Sequence, residues 1–493
     1  QFPICFPSAV RAGLKCDRRG WRRYAPAPVS PPFQEHSFPA YQPSLSHYDL
    51  AIGGTGSGNC IIRPEFFNWS VAMCERDIFG GTCLNRGCIP SKMLVYAADV
   101  AQHARHAGRL GVDMTLDGVR WAEIRDRVFG RIDPIAEAGD RYRTDECANV
   151  TVYRGDAHFR GPRHLAIGHD EFTADRIVLA AGARPWIPPV PGLDSVDYHT
   201  SDTIMRLDEL PERLVVLGGG YIGAELAHVF DAFGVQVRVV NRSPVLLRHE
   251  DDDVSRRFTQ VMGERLDLHM DVTVDVVRPC GDGVELDLDD GTRVEGDVLL
   301  IATGRVPNGD LLHVEAGGVE RHADGRVVVD ATGATTAPGV WALGDVSSPH
   351  QLKHVANHEA AVVGHNLLHP DQPREIDHRA VPHAVFGDPQ VASVGMTERE
   401  ARAAGLDYSV AIREYGDTAY GWAMEDGTSF CKVIAAPDRT LLGAHLVGPH
   451  ASTLIQQLVQ GMRMGLTVDQ MASGQMYIHP ALTEVVEQAL LDL

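Results

Sequence analysis

Long apolar runs are absent from this 493-residue chain. None approaches the roughly 20 residues that a membrane-spanning helix needs, which excludes a helical membrane protein. Basic residues are outnumbered, 45 Lys and Arg against 66 Asp and Glu, for a net charge of −21. That balance argues against a nucleic-acid surface, which requires a basic face. Cysteine is scarce, with nine residues at positions 5, 16, 60, 74, 83, 88, 147, 280 and 431. Apart from 83 and 88 they are scattered and lack the paired spacing of a metal site, so no metal is expected. Free thiols with one working pair are the usage of a cytoplasmic protein. There is also no zinc motif, no Ser nucleophile elbow and no Walker loop.

What is present is ordinary globular material, 44% apolar and 23% charged, enough for about three domains. Residues 1–46 stand apart, with eight prolines, six Lys or Arg and two acids, Asp17 and Glu35. With no apolar core and no periodicity, they read as a disordered extension. An Arg-rich, acid-poor transit peptide or an upstream mis-called start fits the same residues, and the chain opens on Gln1.

From His47 the pattern becomes strand, Gly turn, helix. It occurs twice, in YDLAIGGTGSGN (48–59) and in RLVVLGGGYIGAELAHVF (213–230). One such fingerprint is weak evidence; two, each followed by a second strand, point to two bound dinucleotides. In the first, Gly54 and Gly56 allow a tight turn and close approach to a pyrophosphate. Asn59 stands at the third glycine position, beside Gly58, and the following IIRPEFFNWS contains Pro64. An irregular crossover is expected there. Glu75 ends the next strand, where it could hold a ribose. The second fingerprint has all three glycines, Gly218, Gly220 and Gly223, but its next strand ends in Asn241 where an NAD site would have an acid. Arg242 and Arg248 follow, and guanidinium groups pair well with a 2′-phosphate, favouring NADPH over NADH.

Between the fingerprints lies GGTCLNRGCIPSK (80–92). A disulfide between Cys83 and Cys88 would close a very small loop and stabilise little, so the pair suits redox chemistry better than structure. Near a helix N-terminus such thiols have a reason to ionise. Near the end of the chain, His479 precedes Glu484 by five residues in HPALTE, a spacing open to an acid/base pair. Beyond about residue 377 the chain reads as a separate α+β domain, with AVFGDPQVASVGM (384–396) strand-like and helices over 451–465 and 481–491.

Taken in order, the first fingerprint, GGTCLN-x-GCIPSK, GYIGAE, ATGR, ALGDV and HPALTE resemble the flavin disulfide reductases, the family of glutathione reductase and dihydrolipoamide dehydrogenase. The likeness covers residues 47–493. Within it, GTGSGN, RVFGRIDPIA (127–136), LKHVANHEA (352–360) and YGDTAYGWAMED (415–426) are similar to the branch acting on mycothione; Arg86 and Ser91 replace the more usual Val and Thr. The resemblance implies an α/β fold: two Rossmann-like domains, for FAD (47–184 and 307–376) and NADPH (185–306), plus an α+β dimerisation domain (377–493). It implies that Cys88 rests as the charge-transfer thiolate and Cys83 attacks the substrate disulfide. His479, held by Glu484 and contributed from the other subunit of a homodimer, would protonate the leaving thiolate. Lys92 and Glu225 would pair beside the flavin, Asp345 would hold its ribityl chain, and Tyr221 would gate the nicotinamide pocket. Thr82, Gly182 and Gly304 match cofactor-binding positions, and the helix starting near His354 would point its positive end at the flavin. The implied reaction is NADPH-dependent reduction of mycothione; the alternatives are an NAD-linked dihydrolipoamide dehydrogenase or a glutathione reductase-like enzyme. Neither nucleic acid nor membrane is an expected partner.

Overall fold

The computed structural model describes residues 45–493. The expectation of disorder for the N-terminal extension therefore falls almost wholly outside the described residues; Ser46, its last residue, already opens a strand.

The N-terminal sheet uses β1 (Ser46–Gly53), β2 (Val71–Glu75), β3 (Val150–Arg154), β4 (Ala157–Gly161), β5 (His164–Ile167) and β6 (Asp170–Leu179), in spatial order β3-β2-β1-β6-β5-β4. β3, β2, β1 and β6 run parallel, whereas β5 and β4 return antiparallel. Leu50, Ala51 and Ile52 are fully buried, as a central parallel strand covered on both faces requires. After β1 come only two single-turn 3₁₀ pieces, Gly58–Cys60 and Pro64–Phe66, the irregular crossover that Pro64 signals.

A ribbon leaves this unit through β7 (Ala183–Pro185). The second unit has β8 (Arg213–Leu217), β9 (Gln236–Asn241), β10 (Asp267–Met270), a meander of β11 (Val274–Cys280), β12 (Gly283–Leu288) and β13 (Arg293–Gly296), and β14 (Val298–Ile301). Its parallel sheet has the order β10-β9-β8-β14, and a further helix, α5 (Asp252–Gly263), joins β9 to β10. The chain returns through β15 (Arg305–Pro307), antiparallel to β7, and β16 (Val340–Ala342) rejoins the first sheet beside β6.

Two helices lock the units together. α1 (Gly81–Asn85) is a short turn; α2 (Cys88–His106) and α3 (Trp121–Arg141) belong to the first unit, and α4 (Tyr221–Ala232) follows β8 in the second. Along the contact of α2 with α4, Lys92 pairs with Glu225, Asp99 Oδ1 lies 3.1 Å from His228 Nε2, and Gln102 Nε2 donates to Asp231 Oδ2 at 3.1 Å. Positions 225, 228 and 231 recur every three residues, so one stripe of α4 faces α2.

The C-terminal unit is an antiparallel sheet of β17 (Pro382–Val385), β18 (Val391–Gly395), β19 (Ser409–Glu414), β20 (Phe430–Ala435) and β21 (Leu441–Val447), ordered β17-β18-β21-β20-β19. Residues 384–396 therefore form two strands rather than one. Pro389 has no N–H to continue a ladder, and the chain turns there. Helices Ala451–Met464 and Thr483–Leu491 form as expected. Lys432, fully buried, joins this unit to the second: its Nζ meets Asp251 at 2.8 Å, Asp253 at 2.6 Å and Glu398 at 2.7 Å. Among the described residues, no helix is long and apolar enough to cross a membrane.

Candidate active site

The first fingerprint is shaped by close approaches. Gly54 has φ +107°, and a Cβ there would lie 2.4 Å from the Ala180 carbonyl oxygen, so only glycine fits. Gly58 is buried, and a Cβ on it would meet Ile52 at 2.8 Å and Ala180 at 2.9 Å. Gly58 thus performs the tight packing that the usual spacing assigns to position 59. Asn59 serves differently, since its Oδ1 accepts from the buried Arg143 Nε at 2.8 Å, while Arg143 Nη2 donates to the carbonyls of Asn59 and Ile62, both at 3.3 Å. Arg143 replaces, as a scaffold, the helix that the crossover lacks. Arg143→Met strands these acceptors; a loss of about 2–4 kcal/mol is expected, read as a lower denaturant midpoint and weaker FAD retention. Glu75 Oε2 accepts from Thr55 N at 3.0 Å and Thr55 Oγ1 at 2.6 Å, and Oε1 accepts from Asp77 N at 3.0 Å. This fixes the carboxylate at the strand end with lone pairs left for ribose hydroxyls.

The dithiol turn packs directly on this loop. Gly81 has φ +71°, and a Cβ on it would stand 2.7 Å from Gly56 Cα. Cys83 lies inside α1, with Thr82 exposed beside it, and Cys88 is the first residue of α2. Its N-cap, Gly87, offers no side chain, so the helix amides face the sulfur and favour negative charge. Cys88 is lowered to about 7, first by the hydrogen bond from the Cys83 thiol, and also by the charges of Lys92 and Lys353, against burial. Cys83 moves up, chiefly because its thiol donates that bond, and then through burial. The two sulfurs are therefore shifted in opposite directions, Cys88 toward the thiolate and Cys83 toward the thiol. Glu225, nearly buried, holds Lys92 with Oε2 and accepts from Phe386 N at 3.0 Å with Oε1. Lys92 Nζ also donates to Ser91 Oγ at 3.1 Å, a use for the Ser at that position. Arg86 ties the turn to Asp77 at 2.5 Å and reaches Asp202 at 3.6 Å.

The three glycines of the second fingerprint meet different needs. Gly218 has φ +117° and a Cβ there would clash with the Ala302 carbonyl oxygen at 2.5 Å; one on Gly223 would clash with the Gly218 carbonyl oxygen at 2.1 Å; Gly220 faces open space at the start of α4, where a pyrophosphate can approach. Tyr221 follows, 45% exposed. Asn241 is occupied: Oδ1 accepts from Gly219 N at 3.1 Å, and Nδ2 donates to the carbonyls of Ser243 at 3.0 Å and Val245 at 3.1 Å. Arg242 and Arg248 are exposed, and among the described residues neither forms an ion pair with a carboxylate. Gly182 (φ +65°) and Gly304 (φ +134°) precede β7 and β15 with nothing against their Cα hydrogens.

Asp345 sits in the turn Gly344–Val346, where burial raises its pKa and the Arg305 charge opposes the rise. Behind it, α6 (Lys353–Leu368) starts without a side-chain cap, leaving amides for an anionic group. Sequence alone places this helix start near His354 and passes over Lys353. A signal exists in the chain all the same: a lysine in a first helical turn opposes the dipole. The fold also gathers Cys280, Glu285 and Glu295 on the meander, though Arg213 already pairs with Glu295 at 3.3 Å.

His479 stands apart, 72% exposed, with Nδ1 2.7 Å from Glu484 Oε1. That hydrogen bond is the leading cause of the lowered pKa of Glu484. Among the described residues, no hydrogen bond or ion pair joins His479 to the dithiol within one chain. Its neighbours Met476 and Ile478 are 98% and 73% exposed, an apolar patch of the kind an interface covers.

Two family models match the chain: pyridine nucleotide-disulphide oxidoreductase over residues 49–361, and the dimerisation domain of the same family over 381–490. The chain is 54% identical to the mycothione reductase of Mycobacterium tuberculosis over 462 residues, covering 91% of this chain and all of that protein. It is 34% identical to the dihydrolipoyl dehydrogenase of Halobacterium salinarum over 458 residues, covering 90% of this chain and 95% of the other. Among solved structures, the Cu(II) complex of the HOCl-induced flavoprotein disulfide reductase RclA from Escherichia coli superposes with a TM-score of 0.80 at 26% identity, covering 91% of this chain and 100% of that one.

Proposed function

The chain belongs to the pyridine nucleotide-disulphide oxidoreductases, and from that premise we propose that it uses NADPH and FAD to reduce mycothione to mycothiol. The observation that carries the chemistry is the Cys83–Cys88 turn packed on the first glycine loop, with the Lys92–Glu225 pair beside Cys88 and the Cys88 pKa lowered. The substrate rests on the 54% identical relative.

Residues 47–184 with 307–376 are assigned to FAD, 185–306 to NADPH and 377–493 to dimerisation. FAD fits the first unit: Gly54, Gly56 and Gly58 for the pyrophosphate, Glu75 for the ribose, Asp345 for the ribityl chain, and the uncapped start of α6 for the ring. Bound there, FAD supplies the passage of two electrons from NADPH to the Cys83–Cys88 disulfide. In the reduced protein, Cys83 gives up its proton and attacks the substrate. A mixed disulfide forms, the substrate S–S bond breaks, and the departing thiolate takes a proton. Cys88 then attacks Cys83, releasing the second thiol and restoring the Cys83–Cys88 bond, so two electrons have left the dithiol. His479 of the partner subunit, oriented by Glu484, is the proton carrier. The buried free thiols Cys74, Cys147 and Cys431 support a cytoplasmic setting.

NADPH oxidation by the holoenzyme against mycothione, glutathione disulfide and lipoamide, with NADH in parallel, tests the reading. Selective turnover of mycothione is expected. A preference for lipoamide with NAD(H) would move the protein to the dihydrolipoamide branch, which the 34% relative represents. His479→Ala should lower turnover by about 10²–10⁴-fold. Mixing His479→Ala chains with Cys83→Ser chains, each nearly inactive alone, should restore about a quarter of wild-type activity, because half the dimers then contain one intact site. No recovery on mixing would mean that His479 serves its own chain.

A further inference from the structure

We propose that Lys353 is a positioning residue of the dithiol: its ammonium, anchored on the Ser57 hydroxyl, holds one of the two sulfurs in its charged form. The inference rests on the disulfide-reductase reading above.

Lys353 is the first residue of α6, whose N-cap, Leu352, contributes no side chain. A cation there is repelled by the helix dipole, and the acidic groups its charge acts on are Asp345 and the two sulfurs. Among the described residues it forms no ion pair with a carboxylate. Nζ instead donates to Ser57 Oγ at 2.8 Å. Ser57 follows Gly56, and Gly56 is the backbone against which Gly81 packs, 2.7 Å from where a Gly81 Cβ would be. Gly81 opens the turn that carries Cys83. Lys353, Ser57 and the dithiol turn are thus one contiguous patch, although the first two lie 296 positions apart in sequence.

Lys92, although paired with Glu225, also favours the thiolate of Cys88, whereas the cation acting on Cys83 is Lys353. Arg305 donates to the Ala183 carbonyl at 2.5 Å and acts on Asp345 and Tyr221. Burial raises the pKa of Asp345, against the charges of Arg305 and Lys353. In the proposed dimer, His479 of the partner subunit adds a group that is cationic only when protonated. Lys353 favours ionisation of both Cys83 and Cys88, so it assists whichever sulfur carries the charge during exchange.

The test is the rate of iodoacetamide alkylation of the reduced holoenzyme as a function of pH, with modified cysteines identified by mass spectrometry. In Lys353→Met the midpoint should rise by about one pH unit, the low end of what a neighbouring charge produces; Lys353→Arg should keep the wild-type midpoint. A Lys353→Met midpoint equal to wild type, or equal shifts in the Met and Arg variants, overturns the proposal. If Lys353→Met fails to retain FAD, Ser57→Ala, which frees the ammonium, should raise the midpoint in the same direction; an unchanged midpoint there also overturns it. Wild-type protein that reduces no disulfide in the substrate panel would defeat the functional reading, whereas the alkylation midpoint judges Lys353 alone.

Discussion

Cys83→Ser should leave a protein whose flavin is still reduced by NADPH but whose disulfide turnover falls by at least about 10³-fold, since the nucleophile and its partner act as one unit. The hydroxyl of Ser can still donate to Cys88 and keep it the thiolate. It cannot form the mixed disulfide, because oxygen does not exchange with sulfur under these conditions. Electron entry and electron exit are therefore separated by one atom. Stopped-flow reduction by NADPH reports the first, and steady-state turnover with mycothione the second. Cys88→Ser should also lose turnover, for a different reason: Cys83 could still attack, but nothing would resolve the mixed disulfide. Trapped mixed disulfide in the Cys88→Ser protein and none in Cys83→Ser is the expected mass-spectrometric signature. Turnover by Cys83→Ser within tenfold of wild type would sink the assignment of Cys83 as the attacking thiol.

The second large effect lies at the nicotinamide end. Replacing Arg242 and Arg248 together by Met should lower kcat/KM for NADPH by about 10²-fold while leaving that for NADH close to wild type. A charge-assisted hydrogen bond is worth about 1.5–3 kcal/mol, and both groups are solvent-exposed, which discounts each toward the lower end. Together they supply about 3 kcal/mol, and each 1.4 kcal/mol is tenfold. The loss should appear in KM rather than kcat, because the 2′-phosphate is bound alike in ground and transition states. An unchanged ratio of NADPH to NADH efficiency would overturn the arginine assignment. Changing Asn241 to an acid is a poorer test: its amide holds the Gly219 N–H and the carbonyls of Ser243 and Val245, so a Glu there would disturb the loop as well as the charge.

Much of this protein was legible along the chain. The two fingerprints, the Cys83–Cys88 turn and the His479–Glu484 spacing are local patterns. Each is written in a few consecutive residues whose backbone needs are strict, as at Gly54 and Gly218, where φ is positive and a Cβ would strike a carbonyl. The absence of a helix after the first fingerprint was also readable, because Pro64 cannot sit in a helix interior. Other features were not readable. Asn59 looked like a missing glycine until the fold brought Arg143 against it from 84 positions away. Residues 384–396 looked like one strand until the turn at Gly387–Pro389 divided them.

The sequence by itself determined the fold class, the two dinucleotide sites and the identity of the redox pair, because glycine conformation, strand hydrophobicity and cysteine spacing act over short stretches of chain. The family resemblance already pointed to Cys88 as the charged sulfur; only the tertiary structure decided which groups surround it. The Lys92–Glu225 pair, the Lys353–Ser57 contact and the buried Lys432 cluster each join residues far apart in sequence. Their energies depend on distance through space and on removal from water, neither of which is recorded in the order of residues.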